Sequence, residues 1–61
     1  MATEKYMIIN QKLQKYWDDD YGKWVDFLHG SIYEKINGKY YSTSGEQSLP
    51  MGGEWVTADF Y

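Results

Sequence analysis

The chain has 61 residues, no cysteine and a formal net charge of −3 at pH 7. This length allows one domain (residues 1–61), and the lack of cysteine excludes disulfide-stapled miniproteins and cysteine-based metal sites. No apolar run approaches the roughly 20 residues of a membrane-spanning helix, and no signal-peptide core follows the first residues. We therefore expect a small soluble domain of the cytoplasm, without membrane contact.

The first part of the chain predicts a β-hairpin followed by an acidic loop. Residues 6–9 (YMII) are apolar on both alternating faces, as in a central strand, and residues 10–12 (NQK) are typical of a turn. Residues 13–17 (LQKYW) then predict a second strand. Residues 18–23 (DDDYGK) predict a loop, because Asp and Gly both favour turn geometry.

Residues 24–30 (WVDFLHG) fit two local structures. A helix would begin at Asp20 as N-cap, bury Trp24, Phe27 and Leu28 on one face, and end before Gly30. The glycine at position 22 and the short length weaken this helix. We favour a strand or a single helical turn near residues 20–29, and the sequence leaves the choice open.

The second half contains the clearest local signal, Asn37-Gly38 between the β-prone residues 31–36 and 39–43. This dipeptide favours a two-residue type I′ turn, since both central residues need a positive φ. Residues 44–53 (SGEQSLPMGG) predict a loop, and residues 54–61 alternate as a last strand. The chain is therefore predicted to be mainly β, an antiparallel sheet or partly closed barrel of four or five short strands.

The chemistry-bearing residues do not form a recognised catalytic or metal-binding motif. A calcium loop that began at Asp18 would place Lys23 at the position of the invariant glycine and His29 at that of the bidentate glutamate. The single histidine, His29, lies two residues from Ser31, but nucleophilic catalysis also needs an orienting carboxylate and an oxyanion hole in a dry cleft. We expect no enzyme activity, no metal and no cofactor.

Aromatic side chains are the most informative feature of the composition. Seven tyrosines, three tryptophans and two phenylalanines would supply most of the apolar area that this chain can bury. Adjacent aromatics on a strand point to opposite faces, so residues 16–17 and 40–41 each place one ring away from a single-sided core. Tyr21 and Trp24 flank the acidic loop. Exposed rings beside carboxylates form a good contact surface for a cationic partner.

These features predict a small non-catalytic protein-binding module with a basic or proline-containing partner. The expected contact residues are Asp18, Asp19, Asp20, Tyr21, Trp24, Trp17 and Tyr40. One alternative is a small acidic inhibitor of the phage type that blocks the basic groove of a nucleic-acid-binding protein. Another is a homodimer that buries some of the rings. Direct nucleic-acid binding is not expected, because nine acidic residues outnumber six lysines.

Overall fold

The computed structural model describes residues 4–58, which form one antiparallel sheet of seven strands. The strands are β1 (Glu4–Asn10), β2 (Lys15–Asp18), β3 (Lys23–Val25), β4 (Tyr33–Ile36), β5 (Lys39–Ser42), β6 (Gly45–Gln47) and β7 (Glu54–Thr57). A 3₁₀ turn, Phe27–His29, separates β3 from β4. Among the described residues no helix is long and apolar enough to cross a membrane. The predicted antiparallel β fold is confirmed, with more strands than the four or five expected.

Strand β1 lies at the centre of the sheet and pairs along both edges. One edge pairs with β7, and the other pairs with β4 at the start of β1 and with β2 at its end. The two adjacent residues Met7 and Ile8 point to opposite faces and are 0% and 1% exposed. Both faces of β1 are therefore covered, as the apolar pattern of residues 6–9 predicts.

A close backbone approach covers one of these faces. A side chain at Gly30 would place its Cβ 2.6 Å from Met7 Cε and 2.8 Å from Tyr16 Cβ, so only a glycine lets the segment after the 3₁₀ turn pack here. Tyr33 and Ala58 complete the fully buried apolar set among the described residues. The core is small, and most other rings are only half-buried.

The two hairpins of the second half show which turns the sequence reveals. Asn37 and Gly38 have φ values of 51° and 79° and join β4 to β5, which confirms the predicted turn. The predicted loop over residues 44–53 is wrong in part, because β6 occupies Gly45–Gln47 and pairs with β5. Strand β6 lacks β-branched and apolar residues, so its ladder is formed by backbone groups that leave no pattern in the sequence.

Other boundaries also shift by one or two residues. The second strand begins at Lys15 and not at residue 13, because the Asn10 side chain accepts a hydrogen bond from the Leu13 amide at 3.0 Å and extends the turn. Residues 24–30 combine both expected structures, the end of β3 followed by the 3₁₀ turn. The last strand is described as Glu54–Thr57, and residues 59–61 of its predicted span lie outside the described residues.

Candidate binding site

One buried carboxylate shapes the loop between β2 and β3, residues 18–22. Asp18 is 8% exposed, and its Oδ1 accepts hydrogen bonds from the backbone amides of Asp20 at 2.9 Å and Tyr21 at 3.3 Å. Its carbonyl oxygen accepts another from the Gly22 amide at 2.8 Å. The sequence predicts Asp18 as a contact residue on an acidic loop, and the structure shows its side chain buried against the loop's own amides. A short carboxylate at the start of a turn can accept hydrogen bonds from the amides that follow it. Asp18 therefore stabilises the loop by binding the loop's own backbone.

Asp19 ties the same loop to two distant parts of the chain. Its backbone amide donates to Ser31 Oγ at 2.8 Å, in the segment before β4. Its Oδ2 accepts a hydrogen bond from Ser42 Oγ at 3.1 Å, at the end of β5. Sequence reasoning missed both serines as site residues, because nothing local connects positions 12 and 23 residues away to the loop.

Two of the predicted aromatic residues present their rings beside this loop. Tyr21 is 78% exposed, and the ammonium nitrogen of Lys23 lies 5.5 Å from its ring centroid. Trp24 is half-buried and pairs across the strands with Trp17, their ring centroids 4.9 Å apart in an edge-to-face arrangement. Trp17 thus supports Trp24 from the neighbouring strand, and Tyr21 extends into solvent.

A groove of about 370 Å³ runs beside Tyr21, Trp24 and Val25. The charged side chains that line it are Lys15, Asp18, Lys23 and Asp26, so the two signs nearly cancel there. His29 also lines it, with Nδ1 3.4 Å from Asp26 Oδ2 and both side chains largely exposed. The predicted acidity is therefore not a property of this groove. Asp19 and Asp20 do not line it.

Tyr40 belongs to a different cluster and does not line the groove. Its ring stacks on Trp55 with centroids 3.7 Å apart and planes 9° from parallel. Tyr6 meets Tyr40 edge-to-face at 5.1 Å. The ammonium nitrogen of Lys35 lies 5.6 Å from the Tyr40 ring and 5.7 Å from the Tyr6 ring. The Tyr6 hydroxyl also donates to Glu4 Oε2 at 2.9 Å, so a lysine and a carboxylate both accompany this second cluster. Tyr40 is thus set apart from the other predicted contact residues by its place in the fold.

Tyr33 carries a buried hydroxyl behind the loop. Its ring packs edge-to-face on Trp55 at 5.1 Å, and within residues 4–58 its oxygen has no partner in hydrogen-bond geometry. Burial raises the pKa of the Tyr33 phenol far above its usual value, and the nearby negative charge of Asp19 raises it further. The phenol is therefore neutral at physiological pH, and it lies close enough to Asp19 for that charge to affect its pKa.

Replacement of Asp18 tests its role inside the loop. We expect Asp18→Ala to lower the free energy of unfolding by about 1–2 kcal/mol, because two part-buried amide hydrogen bonds lose their acceptor. Asp18→Asn keeps an oxygen at that position and should cost less. Asp20→Ala removes an exposed carboxylate and should change stability by less than about 0.5 kcal/mol. Urea unfolding followed by tryptophan fluorescence gives these values. Equal losses for Asp18→Ala and Asp20→Ala would contradict the assignment.

The raised pKa of the Tyr33 phenol predicts that the protein loses stability at alkaline pH. A pKa raised on folding favours the native state fully below the unfolded value of about 10, and this contribution is lost as pH rises above it. Tyr33→Phe should flatten the decline in the free energy of unfolding above about pH 10. At pH 7 it should leave stability equal or slightly higher, since a buried hydroxyl without a partner is removed. Urea unfolding from pH 7 to pH 11 measures both effects. An unchanged slope together with a large loss at pH 7 would refute this account.

Comparison with known proteins adds no constraint on the site. No protein-family model, no curated protein and no solved structure matches the chain.

Proposed function

We propose that this chain is a non-catalytic module that binds a basic or proline-containing segment of a partner protein in the groove beside Tyr21 and Trp24. The observation that carries the proposal is the Tyr21 ring, which is 78% exposed on a loop held by internal hydrogen bonds. Large rings displayed on the surface beside a concave region are typical of interaction sites.

The loop's internal bonds supply the physical reason for useful affinity. Binding normally costs free energy for ordering the loops and side chains of the interface. Here Asp18 and Asp19 already fix the backbone around Tyr21, and Trp17 supports Trp24. A tyrosine or tryptophan also has few side-chain torsions to freeze for its contact area. Most of the free-energy cost of ordering this loop is therefore incurred when the chain folds and not when a partner binds.

The chemistry of the groove favours two kinds of partner residue. Proline-containing segments are already extended and dock against aromatic rings. Cations are attracted to the faces of such rings, and the position of Lys23 over Tyr21 demonstrates that contact within the chain. The lysines in the groove weaken the case for an inhibitor that mimics a phosphate backbone, because such a surface needs an excess of negative charge.

A titration with three synthetic peptides tests the proposal. One is proline-rich with an arginine at its end, one is proline-rich alone, and one is basic without proline. We expect at least one to cause saturable changes in the ¹H–¹⁵N spectrum at the amides of residues 21–25 and the Trp24 indole. Tyr21→Ala should weaken that binding by roughly tenfold or more, the effect of losing a central aromatic contact.

Met51→Ala is the matched control, since Met51 is 96% exposed and lines neither the groove nor the loop. It should bind within about twofold of the natural chain, as expected for a residue outside the contact. The proposal fails if none of the three peptides produces saturable changes at millimolar concentration. It fails equally if Tyr21→Ala and Met51→Ala bind alike.

A further inference from the structure

The groove beside Tyr21 and Trp24 follows the outer edge of strand β3. Its lining includes the four consecutive residues 23–26. Successive side chains of a strand point to opposite faces of the sheet, so a concavity on one face would meet only every second residue. A groove lined by all four residues therefore runs along the edge, where side chains of both faces and the backbone between them are accessible.

Strand β3 has no neighbouring strand on its outer side within residues 4–58. It stands at the end of the strand order and pairs with β2 alone. An edge strand presents N–H and C=O groups that another extended backbone can bind. Because β3 has only three residues, Lys23–Val25, the groups that face outward can be assigned to one of them.

The backbone groups of Trp24 face the groove. On β2, the Asp18 carbonyl accepts from the Gly22 amide at 2.8 Å and so faces the side of β3. The Trp17 carbonyl accepts from the Ser31 amide at 3.0 Å and faces the opposite side. Trp17 and Trp24 are partners in the ladder, so they form a non-hydrogen-bonded pair, in which side chains approach closely, as their ring distance of 4.9 Å shows. The N–H and C=O of Trp24 therefore point away from β2.

Backbone polarity and charge together specify what fits this edge. A donor and an acceptor on one residue, facing the same way, are matched by the backbone of another extended segment. The exposed charges differ along the edge, with Lys23 at its start and Asp26 just past its end. His29 lies 3.4 Å from Asp26 with both side chains largely exposed, and Lys15 belongs to β2, one strand in from the edge. An antiparallel segment with a cation near its start would place that cation at Asp26 and away from Lys23.

We propose that the partner segment binds as an added antiparallel strand along β3, held by two backbone hydrogen bonds to Trp24. This rests on the proposed binding function and specifies how the segment is recognised. The residue opposite Trp24 keeps its N–H and is therefore not proline. Its neighbours turn their N–H groups away from β3, so proline is accepted opposite Val25. A lysine or arginine comes one residue earlier, opposite Asp26.

A second copy of the chain is the competing occupant, and its charges fit the edge less well. Two β3 strands can pair only through outward-facing backbone groups, which sets Trp24 opposite Trp24. In that register each Lys23 lies opposite Val25 of the other copy, and the two lysines become diagonal neighbours on one face. Like charges in neighbouring cross-strand positions repel. A segment with a single cation at the Asp26 end avoids this repulsion.

The peptide acetyl-Ala-Arg-Pro-Val-Ser-Ala-amide tests the added strand directly. Its valine would lie opposite Trp24, its proline opposite Val25 and its arginine opposite Asp26. At saturation, the Trp24 amide should exchange with solvent roughly tenfold more slowly than in the free chain, because its N–H gains a partner. Proton–proton cross-peaks between the α-hydrogens of the peptide proline and Val25 should establish the register, since these lie close in a non-hydrogen-bonded pair.

Two N-methylated versions of this peptide separate backbone pairing from ring contact. A methyl group on the valine nitrogen removes the donor that faces Trp24 and should weaken binding roughly tenfold. A methyl group on the serine nitrogen is the matched control, because that N–H faces away from β3. It should change binding by less than about twofold, the effect of altering a group that stays in water.

The charge at the end of the edge is tested with Asp26→Asn. This variant should bind the arginine peptide about two- to fivefold more weakly, as loss of an exposed ion pair does. A peptide with citrulline in place of arginine should bind Asp26→Asn and the natural chain alike. Glu46→Gln is the matched control, because it removes the same charge from an exposed residue of β6 that does not line the groove. It should leave binding of the arginine peptide unchanged.

The added strand is overturned if the two N-methylated peptides bind equally well. If the amides of residues 21–25 still respond to both, the groove binds its partner through the rings alone, and the proposed function stands without the strand. If no peptide shifts these amides, the proposed function itself fails. Protection of the Trp24 amide in the free chain, together with a dimer mass in sedimentation equilibrium, would make a second copy the occupant and also overturn the assignment.

Discussion

The buried carboxylate of Asp18 fixes the loop between β2 and β3, and the groove beside that loop depends on it. Its Oδ1 accepts two backbone amides and its carbonyl accepts a third, so the loop is closed by its own first residue. Asp19 then joins the loop to Ser31 and Ser42. The three consecutive aspartates therefore have separate roles. Asp18 supports the loop from inside, Asp19 anchors it to the rest of the sheet, and Asp20 presents an exposed charge.

The small core explains why rings remain at the surface. Among the described aromatic residues, only Tyr33 lies fully inside, next to the two-sided central strand β1. Several of the others lie in small groups, one with Lys35 over Tyr6 and Tyr40, one with Trp17 and Trp24 beside the loop, and an edge-to-face pair of Tyr16 and Phe27. A thin sheet needs cover on both faces, which leaves such rings half-exposed. Within residues 4–58, Tyr21 is the one ring that extends well beyond this cover.

Sequence patterns predict those structural elements that interactions between nearby residues determine. The Asn37-Gly38 turn and the apolar run of β1 were readable because turn geometry and two-sided burial restrict residue type directly. Strand β6 was not readable, since its pairing uses backbone groups alone. Tyr21 and Trp24 were identified from their place beside the loop. The inward position of Asp18, the separation of Tyr40, and the contributions of Ser31 and Ser42 depend on tertiary contacts that spacing does not encode.

The hydrogen bonds that Asp18 accepts imply that the loop is ordered before any partner binds. Backbone ¹⁵N relaxation of the free chain measures this directly at residues 20–22. The hydrogen bonds of Asp18 predict order parameters of about 0.85, equal to those of the strands, with the Tyr21 amide among them. Values below about 0.6 for these amides, beside rigid strands, would mean that the loop orders only on binding. Tyr21 would then not be presented by a preformed loop, contrary to what the hydrogen bonds of Asp18 predict.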